Sequence, residues 1–168
     1  MYIIAAIIAG IIYLFSKGSG SKGLSRMPDE IAQWYPALYK ASSTTGIDYR
    51  LLASVVAQES GGDLQAIGSA GEIGLMQMKP IAQQDIYENN LTSRKDVAAD
   101  GWNQIQDGAA FLKLQLKRTG NLYDALRAYN QGYQGSRYNS KGSDYANQVI
   151  QRAGTYGFDY RSWKAINE

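Results

Sequence analysis

A single carboxylic acid, Glu59, stands at the end of an apolar stripe on a predicted helix. Leu52, Val55 and Val56 recur at positions i, i+3 and i+4, and Glu59 is position i+7 of the same series. Burial disfavours an ionised carboxylate, so such an acid either finds a partner or stays protonated. A protonated carboxylic acid beside a cleft is what a general acid requires. The sequence therefore predicts Glu59 as a general acid; the alternative is that the helix frays at Ser60 and the carboxylate points into solvent.

A loop punctuated by glycine follows this helix. Gly68, Gly71 and Gly74 fall within one stretch of seven residues, and they precede the run Leu75-Met76-Gln77-Met78. Glycines at this density are typical of tight turns and of a backbone that approaches a ligand closely, and they disfavour a long helix. We therefore expect a loop directly after the candidate acid, with room for short strands only between residues 68 and 78.

Four motifs, taken in order along the chain, resemble the lytic transglycosylase domain of the goose-type lysozyme superfamily. They are Glu59-Ser60, then Gly71-x-x-Gly74-Leu75-Met76-Gln77 ending at Pro80, then Ala128-Tyr129-Asn130-x-Gly132, and finally Tyr145. The resemblance extends over residues 28 to 156, most of the chain. It implies a mainly α fold of the α+β lysozyme-like kind, a helical domain with a short glycine-rich loop or β-turn region.

The resemblance also implies a reaction. Glu59 would protonate the glycosidic oxygen between N-acetylmuramic acid and N-acetylglucosamine in peptidoglycan. The same carboxylate, now a base, would take the proton of the muramyl C6 hydroxyl, and a 1,6-anhydro ring would close without consuming water. Glycosidases usually need two carboxylates, but here the substrate's own N-acetyl group would stabilise the positive centre, so that one protein acid is sufficient.

Five further residues match family positions that bind the glycan or contact the acid. Gln77, Tyr129 and Asn130 match residues that line the glycan cleft, and Tyr145 matches a tyrosine that hydrogen-bonds the catalytic acid. From the residues alone, Tyr129 also fits the apolar stripe of its own helix, and the Gln77 amide and the Ser60 hydroxyl also suit bonds to the backbone. The expected site is Glu59 as catalytic residue and Ser60, Gln77, Tyr129, Asn130 and Tyr145 as substrate-binding residues, with no metal ion and no cofactor.

Three positions depart from the family pattern. Gly68 stands where the family commonly has Ser, Glu72 stands where a small residue is usual, and Lys79 stands where a hydrophobic residue often contacts substrate. These departures concern the contacts to the glycan and not the acid.

Two other classes of function remain open at this stage. A hydrolytic muramidase would use a second acid to activate water, and Asp63 and Glu72 are the carboxylates nearest to Glu59 in sequence. A non-catalytic protein would instead bind glycan or serve assembly while anchored in a membrane. The anhydro or reducing character of the muramic ends distinguishes the two enzymes.

Composition excludes several kinds of chemistry. The 168 residues contain no Cys and no His, so disulfides, Ser-His and Cys-His nucleophiles and the usual zinc ligands are ruled out. A net charge of only +2, without a basic run, does not favour nucleic-acid binding. The length suits one domain with a substantial core.

The first fifteen residues, MYIIAAIIAGIIYLF, carry no charge. As a helix they would span about 22 Å, shorter than the ~30 Å hydrocarbon core of a bilayer. We interpret residues 1–16 as one transmembrane anchor, with a cleaved signal peptide and an interfacial or buried helix as alternatives. Residues 17–26, KGSGSKGLSR, then form a flexible Gly/Ser/Lys linker, and residues 27–168 form the lytic transglycosylase domain.

The positive charges after the apolar segment bear on its orientation. Lys17, Lys22 and Arg26 all follow it, and the positive-inside rule would then place the domain on the cytoplasmic side, whereas peptidoglycan lies outside the membrane. One hypothesis that reconciles the two is a membrane-containing phage that carries the enzyme in its virion membrane to the next cell. The other is a bacterial cell-envelope protein in which three charges do not fix the orientation. The expected partners are glycan strands, the membrane, and virion or envelope-complex proteins.

Helix boundaries follow from local signals. Asp48, Asp100 and Asn121 are predicted N-caps of three helices, because short polar side chains at this position accept bonds from the first turn. Pro36 predicts a kink or a late start within residues 31–39. A last helix is predicted over Asp144 to Arg152.

Overall fold

Helices make up most of the protein in the computed structural model, which describes residues 21–133 and 139–168. The prediction of a mainly α fold is confirmed. These residues contain no strand, and the glycine-rich loop has only isolated antiparallel bridges, from Ile73 to Ile67 and to Met78. The helices are α1 Ser21–Leu24, α2 Asp29–Ala32, α3 Tyr35–Thr45, α4 Tyr49–Glu59, α5 Pro80–Glu88, α6 Gly101–Thr119, α7 Leu122–Gln131, α8 Ser140–Thr155 and α9 Tyr160–Asn167.

The predicted N-caps of α4, α6 and α7 are confirmed. Asp48, Asp100 and Asn121 each accept a hydrogen bond from a backbone N–H of the first turn, at 2.8 to 2.9 Å. Pro36 is the second residue of α3, which begins after a break from α2, so the predicted late start is also confirmed. Proline is tolerated there because the first turn of a helix has no partner for its N–H groups.

The C-terminal part contains more helix than the sequence predicted. Helix α8 begins at Ser140 rather than at Asp144, because the Asn139 side chain accepts hydrogen bonds from the N–H groups of Lys141 and Gly142. Helix α9 was not predicted. Its Asp159 N-cap accepts bonds from the N–H groups of Arg161 and Ser162, and its partly buried Tyr160 and Trp163 pack against the core.

Helix α4 lies at the centre of the core. Its residues 51–56 are all buried, and it packs against α3 and α8. Helix α6 packs against α3, α5 and α7, and α7 also packs against α8. The apolar stripe of α4 therefore faces the interior as predicted, and its last residue, Glu59, emerges where the surrounding helices leave a cleft.

The predicted anchor, residues 1–16, lies outside the described residues, as does the first part of the predicted linker. The rest of the linker contains helix α1, and Leu24 packs against the core. Across residues 21–133 and 139–168, no helix combines the length and the apolar character needed to cross a bilayer.

Candidate active site

A cleft of about 690 Å³ opens beside the end of α4. Helix α5 supplies one wall, and α6 with the end of α7 supplies the other. Glu59, Glu72 and residues 77–79 of the glycine-rich loop also line it, as do Gly132 and Tyr133 after α7. Backbone hydrogen bonds between Ile73 and Met78, 3.1 Å in each direction, close this loop on itself, and the Ser60 hydroxyl ties it to the end of α4 by donating to the Leu75 carbonyl at 2.9 Å. The loop that the sequence placed after the acid thus forms part of the same cleft.

The Glu59 carboxyl is half-buried and hydrogen-bonded. The hydroxyl of Tyr145, which lies on α8 and is 7% exposed, donates to Glu59 Oε1 at 2.5 Å. These residues are 86 positions apart in sequence, and the packing of α4 on α8 brings them together. The side chain does not point into open solvent, so the alternative of a frayed helix end is wrong.

Burial raises the pKa of Glu59 to about 7. The Tyr145 hydrogen bond acts in the opposite direction, because it stabilises the ionised form and lowers the pKa, while the negative charge of Glu72 raises it. A large fraction of Glu59 is therefore protonated at neutral pH. An acid in this state can give up a proton and later take one back.

Glu72 is a second carboxylate in the lining of the cleft, and its pKa is shifted in the opposite direction to that of Glu59. Its own backbone N–H, the Lys79 ammonium and the Ala70 N–H hydrogen-bond to it and lower its pKa. The distances are 3.1 Å from Lys79 Nζ and 2.9 Å from Ala70 N. Asp63, the other acid considered from the sequence, is exposed, lies outside the cleft lining and accepts a bond from Gln65 N.

Gln77 lines the cleft, and its amide braces the loop. Its Nε2 donates to the carbonyl oxygens of Gly74 at 2.9 Å and Ala66 at 3.1 Å. Its φ of 46° lies in the left-handed region, which is uncommon for a residue other than glycine. The two side-chain bonds hold the backbone in this conformation, so the residue combines a structural contact with a place in the cleft.

Tyr129 and Asn130, at the end of α7, also line the cleft. The Tyr129 hydroxyl donates to the Met76 carbonyl at 2.8 Å, and its ring lies 5.3 Å from that of Phe111. Burial raises the pKa of Tyr129 well above its usual value, and the charge of Glu59 adds to this effect. Tyr129 thus fixes the loop relative to α7, while Asn130 is exposed to the cleft.

Ser60 differs from the other predicted site residues, because it is not part of the cleft lining. Its hydroxyl donates to the Leu75 carbonyl at 2.9 Å and accepts from the Gly62 N–H at 3.1 Å. Tyr145 also lies behind the lining and reaches the site only through Glu59. The structure therefore brings Glu59, Gln77, Tyr129 and Asn130 to one cleft, supported from behind by Tyr145 and Ser60.

The far half of the cleft was not predicted from the sequence. Its wall on α6 consists of side chains at the helical spacing i, i+4, i+7, and an ion pair closes it from the α5 side. The sequence shows that the three α6 side chains share one face of the helix. Because that face mixes apolar and polar residues, nothing in the sequence indicated that it faces a cleft rather than solvent. The missed residues include Asp85, Glu88, Phe111, Gln115, Arg118 and Tyr133. Across residues 21–133 and 139–168, no group of acidic side chains is suited to hold a metal ion.

The sequence profile of the family described as "Transglycosylase SLT domain" matches residues 36–151. The chain belongs to this family. The SLT match includes Glu59, the glycine-rich loop, the Tyr129-Asn130 pair and Tyr145, so the resemblance found from four motifs is confirmed.

Similar proteins include a phage and a bacterial protein. The chain is 32% identical over 119 residues to the transglycosylase of Enterobacteria phage PRD1, a match over 71% of this chain and 42% of that protein. It is 39% identical over 86 residues to the endo-type membrane-bound lytic murein transglycosylase A of Klebsiella pneumoniae, over 49% of this chain and 42% of that one. The SLT chain thus spans less than half the length of these relatives.

A solved structure shares the fold of the SLT domain. It is the X-ray structure of an inactive mutant of the lytic transglycosylase Slt from Pseudomonas aeruginosa, with a TM-score of 0.62 and 20% sequence identity. The match covers 73% of this chain and 23% of that one. At this level of identity the likeness concerns the fold.

Replacing Tyr145 by Phe is expected to raise the pKa of Glu59 further. The lost hydroxyl is the donor that stabilises the ionised carboxylate, whereas burial, which raises the pKa, remains. Titration of the Glu59 carboxyl carbon by NMR measures this shift. The matched control is Tyr129→Phe, whose hydroxyl bonds Met76 rather than the acid and should leave the Glu59 titration in place. Equal shifts in the two variants would contradict the assignment.

Proposed function

We propose that this chain is a peptidoglycan lytic transglycosylase that cleaves the β-1,4 bond between N-acetylmuramic acid and N-acetylglucosamine. The observation that carries the proposal is Glu59, a half-buried acid with a pKa of about 7 that Tyr145 orients toward a cleft large enough for a glycan. Membership of the SLT family and the names of the relatives agree with this activity.

In the first step Glu59 acts as the general acid. The protonated carboxyl gives its proton to the glycosidic oxygen, the bond from that oxygen to the muramyl C1 breaks, and the N-acetylglucosamine side leaves with a free hydroxyl. The acetamido group of the muramyl residue donates electron density to C1, which replaces the second carboxylate of most glycosidases. The Tyr145 hydrogen bond strengthens as Glu59 becomes negative, so it favours the transfer.

In the second step the same carboxylate acts as the base. Glu59 takes the proton of the muramyl C6 hydroxyl, whose oxygen bonds to C1 and closes the 1,6-anhydro ring. The proton lost in the first step is thereby regained, and no water is consumed. A pKa of about 7 suits both directions, because the acid and the base forms are similarly populated near neutral pH.

The remaining predicted residues take supporting roles in this proposal. Gln77 and Asn130 contact the glycan from the loop and from the end of α7, and Tyr129 lines the cleft near the acid. Tyr145 orients Glu59, and Ser60 fixes the end of α4 to Leu75, so that both act as positioning residues.

A hydrolytic muramidase is the second candidate, because Glu72 is an ionised carboxylate in the same cleft. In that reaction Glu72 would take a proton from a water molecule that attacks C1, while Glu59 again acts as the acid. In Glu72, the ion pair with Lys79 occupies one carboxylate oxygen, and the hydrogen bond from the Ala70 N–H occupies the other. Both oxygens are therefore engaged, which favours the transglycosylase.

Mass spectrometry of digested cell wall distinguishes the two reactions. Digestion in ¹⁸O-water by the transglycosylase yields unlabelled 1,6-anhydromuramic ends. Reducing muramic ends that carry ¹⁸O would overturn this proposal in favour of the hydrolase. Absence of any cleavage by the intact protein would favour a non-catalytic glycan-binding role.

We also propose that residues 1–16 anchor the protein in a membrane, that residues from 17 link the anchor to the domain, and that the protein resides in a virion membrane or in the bacterial envelope. The uncharged run of residues 1–15 and the phage and membrane-bound relatives support this location. Fractionation of purified particles and of host membranes tests it. Recovery of the protein only in the soluble fraction would contradict the anchor.

A further inference from the structure

Helix α6 presents a face to the cleft that the reaction above does not use. Phe111, Gln115 and Arg118 line the cleft at the spacing i, i+4, i+7, which places them on one side of a helix. Phe111 packs on Tyr129, and Tyr129 lies close to Glu59. The Phe111 end of this helix face is therefore the end nearer to the acid. At a rise of 1.5 Å per residue, Gln115 lies about 6 Å beyond Phe111 and Arg118 about 10 Å beyond it. The distance from Phe111 to Gln115 along the helix axis is comparable to the length of one sugar residue.

The Gln115 amide has an unsatisfied oxygen. Its residue is 1% exposed, and its Oε1 has no hydrogen-bond partner anywhere in residues 21–133 and 139–168. A buried carbonyl oxygen without a donor costs free energy, and such groups are rare in folded proteins. Because the last torsion of a glutamine side chain is broad, the amide can turn toward a donor in the cleft at little cost.

The charged groups at this end of the cleft are already paired. Arg118 makes two bonds to Asp85, at 2.5 and 2.7 Å, and its guanidinium lies 6.0 Å from the centre of the Tyr133 ring. On the α5 side, Gln84 donates to Glu88 at 2.7 Å. Arg118 and Asp85 thus satisfy each other, whereas the buried Gln115 oxygen has no protein donor that a ligand would have to displace.

The charge of the cleft selects among the groups that a glycan could offer. Four carboxyl groups line it, those of Glu59, Glu72, Asp85 and Glu88, against the two cations Lys79 and Arg118, and of the four Glu59 is the one with a large protonated fraction at neutral pH. This excess of negative charge disfavours an anionic group and permits a neutral donor. An acetamido group is neutral, and it carries an N–H donor beside a methyl group. The Phe111 ring and Met78, which also line the cleft, provide apolar surface for that methyl group.

We propose that Gln115 is a specificity-determining residue: its side-chain carbonyl accepts the N–H of the acetamido group of a sugar bound next to the cleaved pair. The methyl group of that acetamido lies against Phe111. This proposal rests on the proposed function for the identity of the glycan, and it adds the chemical group by which the cleft distinguishes N-acetylated from unsubstituted sugars.

Binding of two neutral tetrasaccharides tests the proposal. Chitotetraose carries an acetamido group on every ring, and cellotetraose carries a hydroxyl at the same positions. Isothermal titration of the full chain is expected to show tighter binding of chitotetraose, and Gln115→Leu should weaken chitotetraose binding roughly 3- to 10-fold, the worth of one neutral hydrogen bond. Cellotetraose binding should not change. Equal weakening of both ligands, no weakening, or no preference in the unaltered chain would each overturn the proposal.

Thermal unfolding separates loss of a ligand contact from loss of the fold. Gln115→Leu should keep or raise Tm, because the oxygen it removes has no protein partner. The matched control is Gln83→Leu, another buried glutamine with an unpartnered Oε1, which lies outside the cleft lining. Its Nε2 bonds Arg94 O and Asp107, so this variant should lower Tm and leave the ligand preference unchanged. If Gln115→Leu unfolds, Gln115→Met provides the same test with an unbranched side chain.

Failure of this proposal is distinguishable from failure of the proposed function. If the unaltered chain releases anhydromuramic products while Gln115→Leu retains the preference for chitotetraose, the enzyme stands and the role of Gln115 is overturned. If the chain prefers chitotetraose through Gln115 but releases no anhydromuramic product, the role of Gln115 stands and the transglycosylase is overturned.

Discussion

Replacement of Glu59 by Gln is expected to lower the rate of wall cleavage by roughly 10³-fold, because general acid–base catalysis contributes about 10²- to 10⁴-fold and here one carboxyl serves both steps. The amide has nearly the same shape and can still accept the Tyr145 hydrogen bond, so the cleft should stay intact. Release of 1,6-anhydromuropeptides from purified wall, followed by liquid chromatography, measures the rate. The same variant should bind glycan with little change in Kd.

Glu59→Gln should gain stability relative to the unaltered protein as the pH rises, and the sign follows from the pKa of Glu59. Burial raises the pKa of folded Glu59 from 4.5 to about 7. Below pH 4.5 both the folded and the unfolded carboxyl are protonated, and no penalty arises. Between pH 4.5 and pH 7 the carboxyl is ionised in the unfolded chain but still protonated in the folded one. The unaltered protein therefore loses stability as the pH rises through this range, and it loses no more above pH 7. The shift corresponds to roughly 3 kcal/mol, so Glu59→Gln should match the unaltered protein in stability near pH 4 and exceed it near pH 8.

The control for charge is Asp63→Asn. Asp63 is an exposed acid close to Glu59 in sequence that does not line the cleft, and its loss should leave the cleavage rate within about 2-fold, as is usual for surface substitutions. Glu72→Gln separates the two reaction types, because an equal loss of activity in this variant would favour the hydrolase. Substantial wall lysis by Glu59→Gln would contradict its role as the acid.

Local signals in the sequence account for the part of the site closest to α4. The apolar stripe of α4 has to face the interior, so the periodicity that predicts the helix also predicts where Glu59 emerges. Asp48 determines where that helix begins, because its side chain satisfies an N–H of the first turn. Such inferences succeed because they depend on neighbours within a few residues of the chain.

The rest of the site depends on contacts between residues far apart in sequence. Tyr145 was assigned to the acid only through the family resemblance, since no local pattern relates it to a residue 86 positions earlier. Gln115 was not identified, because a polar residue on a helix usually faces solvent and its burial is a consequence of how α6 packs against α5 and α7. Helix α9 was also not predicted: it is only eight residues long, and its contacts to the core come from the partly buried Tyr160 and Trp163.

Replacement of Gly74 by Ala is expected to lower the free energy of unfolding by roughly 3 kcal/mol, from two separate causes. Its φ of 76° is left-handed, which costs a residue with a Cβ about 1 kcal/mol. In addition, the new Cβ would collide with the Gln104 amide, and overpacking of this kind costs about 1–3 kcal/mol. Gln104 is 3% exposed, accepts the Leu75 N–H at 2.8 Å and donates to the Ala98 carbonyl at 2.9 Å, so it has no free space to move into.

Gly71→Ala is the control that isolates the collision. Gly71 lies in the same loop and has a similar φ of 84°, but a Cβ added there meets no atom within 4 Å. It should therefore cost only the backbone strain, about 1 kcal/mol. For a chain of this size, thermal unfolding should show Tm lower by about 2–4 °C for Gly71→Ala and by about 6–12 °C for Gly74→Ala. Because displacement of Gln104 also releases the Leu75 N–H, Gly74→Ala should loosen Gln77 and reduce glycan binding at temperatures where the fold persists. Equal Tm losses in the two variants would mean that Gln104 yields freely, and the loop would then be held by its backbone bonds alone.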